Sequence, residues 1–208
     1  MSSVTAIPIA SLLLGFVPIL LLLVIMRAWG LNALQAMYAN IRMLVQLLLI
    51  GYVLTYIFET DEPVFVVLVV IFMIAMSSWI ALRPLTDRGI KPYTVVAIAI
   101  GVSGLGVLML VTQIILELPR WCEPRFVIPL AGMVFANSMN TISLAGERFH
   151  AERGRGEDYL SARRLAMEAA MIPQVNALLA VGLVSLPGMM TGQILSGVEP
   201  LTAARYQI

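Results

Sequence analysis

Five stretches of this chain are long enough to cross a bilayer and contain no charged residue, and that feature limits what it can fold into more than any other. Uncharged runs occupy 1–26, 63–82, 92–116, 126–146 and 169–198. A sixth run, 43–58, is shorter, and Arg42 alone separates it from the uncharged residues 28–41. A hydrocarbon core about 30 Å thick takes about 20 residues of helix. In lipid, backbone polar groups are satisfied only in helices or closed barrels, and these runs are too long for barrel strands. The sequence therefore predicts an all-α, polytopic helical membrane protein. Six spans are expected at about 4–26, 41–58, 64–82, 93–116, 126–146 and 168–196, within one transmembrane domain covering 1–208. Arg42 is placed at the headgroups, where its guanidinium can snorkel, with Gln46 one turn on as a hydrogen-bonding partner. Composition agrees: 60% of residues are apolar and 12% charged, against about 45–50% and 25% in soluble domains.

Orientation follows from the basic residues of the loops. Segments 27–42, 83–92 and 147–164 carry ten of them: Arg27, Arg42, Arg83, Arg88, Lys91, Arg148, Arg153, Arg155, Arg163 and Arg164. The opposite segments carry three, Arg120, Arg125 and Arg205. The first group is expected on the cytoplasmic side and the N-terminus outside. No basic residue precedes the first apolar run, so that run is read as an uncleaved helix and not as a signal peptide.

Several chemistries are excluded. A net charge of +1 offers no basic field for nucleic acid. One cysteine, Cys122, and one histidine, His150, preclude a disulfide framework or a multi-thiolate or multi-imidazole metal site within the chain. No phosphate-binding glycine loop and no hydrolase motif is present, so the chain is not expected to be an enzyme or to bind a cofactor of its own.

Polar residues at membrane depth are the informative ones. In the fifth span, Met133, Asn137, Asn140, Thr141 and Leu144 fall on one helical face. An amide facing hydrocarbon is costly, so this stripe faces protein or water. It serves either hydrogen bonding between helices or the lining of a substrate path. The sixth span contains Pro173 and Pro187-Gly188, each expected to bend or break it. Gln174 and Asn176, two apart, do not share a face. Gly188 and Gly192 form a small-xxx-small pair suited to close helix packing or dimerisation. Met189 and Met190, beside the break, are either packing residues or thioethers of a weak soft-metal transit site. The inside loop 147–164 alternates in charge sign; its arginines Arg148, Arg153, Arg155, Arg163 and Arg164 form either a solvated face or a docking surface. It reads as a short helix, a turn at Gly154-Arg155-Gly156, and a new helix opened by Ser161. His150 is read as a surface residue.

The run from Val181 to Gly192, VGLVSLPGMMTG, resembles a signature of the FetB-type ABC transporter permeases. These are bacterial inner-membrane subunits linked to iron export, with plant relatives linked to aluminium tolerance. Arg42, Gln46, Gly51-Tyr52-Val53-Leu54 and Tyr56-Ile57-Phe58 match that family's second helix, and Val127-Ile128-Pro129, Ala131-Gly132-Met133, Asn137 and Met139 its fifth. Ala203 to Ile208 matches the segment before a last helix, which this chain is expected to lack. The inside loop is also shorter than the family's.

The resemblance implies a dimeric, multi-pass permease of the inner membrane that exports a metal ion such as iron. A separate ATP-binding subunit on the cytoplasmic face would drive it. The substrate path would use Asn137, Asn140 and Asn176, with Met189 and Met190 at the Pro187-Gly188 break. Two other readings stay open. A stand-alone channel or secondary transporter would need an intramembrane carboxylate, for which Glu168 is the candidate. A non-transporting membrane interaction subunit needs none.

Overall fold

In a computed structural model, residues 8–60, 62–85 and 88–207 are described, together with the side chains of all but Ile9, Ala10 and Leu13 among them. The start of the expected first span, 4–7, and Ile208 of the AARYQI match lie outside the described residues. The elements are α1 (Ile9–Leu14), α2 (Val17–Ala28), α3 (Ala33–Thr60), α4 (Pro63–Ala81) and α5 (Ile90–Met109), which continues into a π-helical segment, Leu110–Ile115. They are followed by α6 (Pro124–Gly154), α7 (Tyr159–Ala180), α8 (Gly188–Leu195) and α9 (Pro200–Arg205). No strand occurs among the described residues, only an isolated bridge between Val181 and Ser185. The chain is a polytopic helical membrane protein. Among the described residues, four stretches are long and apolar enough to cross a membrane as continuous helix: α3, α4, α5 with its π segment, and α6.

The expected first and sixth spans are both divided. The first is interrupted at Gly15-Phe16, with Pro18 in the opening turn of α2, where a missing N–H costs least. The sixth becomes α7, an irregular segment and α8. Pro173 does not break it: α7 runs through Pro173 to Ala180, because a proline removes one hydrogen bond and the turns on either side keep theirs. The interruption comes seven residues later. There the N–H groups of Leu183, Val184 and Ser185 all converge on the carbonyl of Ala180, and Gly182 adopts φ +78°. This left-handed conformation suits glycine, which has no Cβ to clash. Pro187 then stands as the residue before α8, and Gly188 opens it.

The chain divides into two compact units. The unit formed by residues 1–54 and 180–208 has well-defined helix stops. After α2, Gly30 N–H donates to the Arg27 carbonyl and Leu31 N–H to that of Met26, with Gly30 at φ +70°. This is the paired-bond pattern that ends a helix. Asn32 then caps α3, its Oδ1 accepting from Gln35 N–H at 3.0 Å. Hence the second span begins at Ala33, well before the expected residue 41, and Arg42 lies inside the helix. α8 ends with the same paired bonds, from Gly197 to Ile194 and from Val198 to Gln193, and packs against α9.

In the second unit, residues 55–179, α4, α5 and α6 pack on one another. On α6 the buried residues Val127, Ile128, Ala131 and Phe135 fall on one face. Phe135 lies against Gly104 of α5, where an added Cβ would stand 2.9 Å from the ring's Cδ1. Two long-range hydrogen bonds tie these helices: Ser143 Oγ donates to the Ala81 carbonyl at 2.9 Å, and the Tyr93 hydroxyl to that of Ala75 at 3.3 Å.

Candidate functional site

The polar stripe of α6 is turned away from its packed face. Asn140 is nine residues from Ala131, about half a turn around the helix from it, and Asn137 lies about 60° from Asn140. Both asparagines are exposed on the chain, as are Met133 and Leu144. Neither amide is hydrogen-bonded among the described residues. Thr141 is different: its Oγ1 donates to the Asn137 carbonyl at 2.9 Å and accepts from Gln174 Nε2 of α7 at 3.1 Å. The contact from α7 to the stripe is therefore made by Gln174. Asn176, the expected one, is exposed and makes no hydrogen bond to Asn137 or Asn140. Met189 and Met190 belong to the other unit, where they are half-buried in the first turn of α8. Just after them, the Thr191 hydroxyl donates to the Pro187 carbonyl at 3.0 Å. Around Gly188 and Gly192 no atom stands within 4 Å of where a Cβ would be.

The expected inside loop 147–164 is mostly helix. Residues 147–154 finish α6, 155–158 turn, and 159–164 begin α7. Asp158, and not Ser161, opens the second helix: its Oδ1 accepts from the Ser161 N–H at 3.1 Å. Hydrogen bonds from Ser161, its side chain first and its backbone second, hold the Asp158 carboxyl below the usual aspartate range. The centre of the hairpin is Glu152, only 4% exposed, which accepts from both Arg148 and Arg155 at 2.7 Å. Phe149 and Tyr159 meet edge to face, 5.6 Å between ring centres. Arg153 donates to the Glu157 carbonyl at 2.8 Å, and Arg164 pairs with Glu168 at 2.8 Å. Of the five arginines expected to dock a partner, four are thus engaged within the hairpin. Arg163 is exposed and makes no such bond among the described residues. The Arg148-Glu152-Arg155 spacing of four and three residues was the signal for this cluster.

Among the described residues, no three His, Cys, Asp or Glu side chains gather as a metal-binding group.

The sequence matches the uncharacterised protein family UPF0014 over residues 9–162 and 156–208. The chain belongs to this family. Its UPF0014 relatives include the membrane protein slr1647 of Synechocystis, 36% identical over 84% of this chain and 73% of that protein. The probable iron export permease protein FetB of Escherichia coli is 34% identical over 80% of this chain and 69% of its own length. The Arabidopsis protein ALUMINUM SENSITIVE 3 is 26% identical over 84% of this chain and 68% of its own. No solved structure matches the chain. The UPF0014 match takes in the α6 stripe, the hairpin and the break before α8 alike.

Proposed function

We propose that this chain is the membrane permease subunit of an ABC transporter that exports a metal ion such as iron, with ATP hydrolysed by a separate subunit on the cytoplasmic face. The observation that carries this reading is its 34% identity, over 80% of the chain, to a probable iron export permease. The local chemistry is compatible. Asn137 and Asn140 hold two amides with no hydrogen-bond partner among the described residues, on a helix otherwise apolar enough to span the bilayer. An amide left to hydrocarbon is costly, so water or a second protein surface must receive it. The amide oxygens can replace part of a cation's water shell, and the thioethers of Met189 and Met190 suit a soft or borderline metal. Weak neutral ligands favour transit over retention. A second copy of the chain can meet the open Gly188/Gly192 pair, where close helix approach is unobstructed.

Transport would run by alternating access, an equilibrium between two conformations biased by nucleotide in the partner. The hairpin 147–164 is the docking element in this scheme. Its Arg163 has no ion-pair partner among the described residues, and the paired Arg155 and Arg164 side chains are exposed as well. The alternative of a carboxylate-coupled transporter would rest on Glu168, which forms an exposed ion pair with Arg164.

The test is ATP-dependent ferrous iron uptake into inside-out vesicles containing the chain and its ATP-binding subunit. Replacing Asn137 and Asn140 together by Ala should lower the flux about ten-fold at unchanged protein level, the equivalent of about 1.4 kcal/mol at the transition state. Arg163→Glu should reduce recovery of the ATP-binding subunit with the chain. Flux indifferent to ATP would defeat the reading.

A further inference from the structure

A cavity of about 250 Å³ lies where α4 ends and α5 begins. Its walls include the guanidinium-bearing Arg83 and Arg88, the aromatic Trp79 and Tyr93, and the apolar Leu82 and Ile90. Each component sits at a defined depth. The uncharged run of α4 stops at Leu82 and that of α5 starts at Pro92, so the cavity straddles the border between hydrocarbon and headgroups. Trp and Tyr collect at that border because one end of each ring is apolar and the other polar. Trp79 is 49% exposed, while Tyr93 is anchored by its bond to the Ala75 carbonyl. Arg88 donates its Nε to the Leu85 carbonyl at 2.9 Å, and its two terminal nitrogens have no hydrogen-bond partner among the described residues. Neither Arg83 nor Arg88 is ion-paired among the described residues; Thr86 and Asp87 lie outside them. Lys91 adds a third positive charge nearby in sequence.

Both guanidiniums line one recess, and each is a planar donor fork suited to phosphate oxygens. The volume is below the usual range for drug-sized ligands. Beyond it, toward the bilayer interior, both helices are free of charged residues, from Pro63 to Leu82 and from Pro92 to Leu116. We propose that this recess binds the phosphate group of an anionic phospholipid, such as phosphatidylglycerol, whose acyl chains run along α4 and α5. The lipid leaflet would be the cytoplasmic one, to which the basic residues of 83–92 assign this end of the helices. The site is separate from the α6 stripe and does not depend on what the protein transports.

Trp79 provides the readout. In the full chain with Trp29→Phe and Trp121→Phe, it is the only indole. In neutral detergent micelles, brominated phosphatidylglycerol should quench it at about ten-fold lower concentration than brominated phosphatidylcholine, as expected for two basic side chains near a lipid phosphate. The preference should shrink as salt is raised. Arg83→Gln with Arg88→Gln should abolish it, whereas Arg83→Lys with Arg88→Lys, which keeps the charge and loses the planar fork, should keep only part of it and Arg205→Gln all of it. Equal quenching by the two lipids in the unaltered site would overturn the proposal. Displacement of the lipid preference by millimolar inorganic phosphate would assign the recess to a soluble phosphate instead. If the Gln pair left the preference intact but released the ATP-binding subunit, the recess would be a protein contact, and the lipid assignment would fail.

Discussion

Gly104 shows how closely this bundle is packed. Its missing side chain is the space occupied by the Phe135 ring, which is only 2% exposed. Gly104→Ala should therefore destabilise the α5–α6 contact by about 1–3 kcal/mol, the usual range for overpacking a filled site. Thermal unfolding in detergent should show the loss, and the double variant with Phe135→Leu should recover much of it. That recovery separates a steric clash from a change in helix propensity, because only the clash depends on the partner ring. The candidate site was partly legible at this scale. The spacing of Asn137, Asn140 and Thr141 placed them on one face, and the structure keeps them there. The partner of Thr141 was not legible. Gln174 is 33 residues away, and no local pattern links a threonine on one helix with a glutamine on another. Glu152 was legible in principle from its neighbours, but its burial depends on how the hairpin folds back.

Between elements, the hairpin is held by a cap whose strength depends on pH. The Asp158 carboxyl has its folded-state value lowered by hydrogen bonds from Ser161. A lowered value means the ionised form stabilises the fold. That contribution is complete above the ordinary aspartate value of about 4 and is lost as pH falls through the lower folded value. Relative to the intrinsic exchange rate at each pH, amide protection in the first turn of α7 should fall below about pH 4, in the range where Asp158 protonates. Asp158→Asn should flatten this dependence while still capping the helix, since asparagine is an equally good cap. Helix ends were read unevenly from sequence for a related reason. α4, observed as Pro63–Ala81 against an expected 64–82, is bounded by a proline and an arginine at the edges of its apolar run. The divisions at Gly15-Phe16 and 181–187 lie inside apolar runs, where hydropathy does not change. Pro173 and Pro187 look alike in sequence. Only the second adjoins a break, because Gly182 and the converging bonds on Ala180 end α7 first.

For the whole molecule, sidedness is the property on which transport direction rests. In a Cys122→Ser background, Glu157→Cys in the hairpin turn should react with an impermeant maleimide only from the cytoplasmic side. Pro119→Cys, between the π segment and α6, should react only from outside. The reverse pattern in intact cells would invert the direction of the proposed export. In the proposed transporter a signal would pass from the hairpin to the membrane interior, and α6 combines both ends in one element. The asparagine stripe and the hairpin share this single helix, with no proline between Asn137 and Gly154. The distance along it is about 25 Å at the rise of an α-helix. Between the two ends α6 is held to α4 by the Ser143–Ala81 hydrogen bond, so a tilt imposed on residues 147–154 would turn the helix about that contact. Motion made by a partner at residues 147–154 would therefore reposition Asn137 and Asn140 directly, with no relay through other side chains.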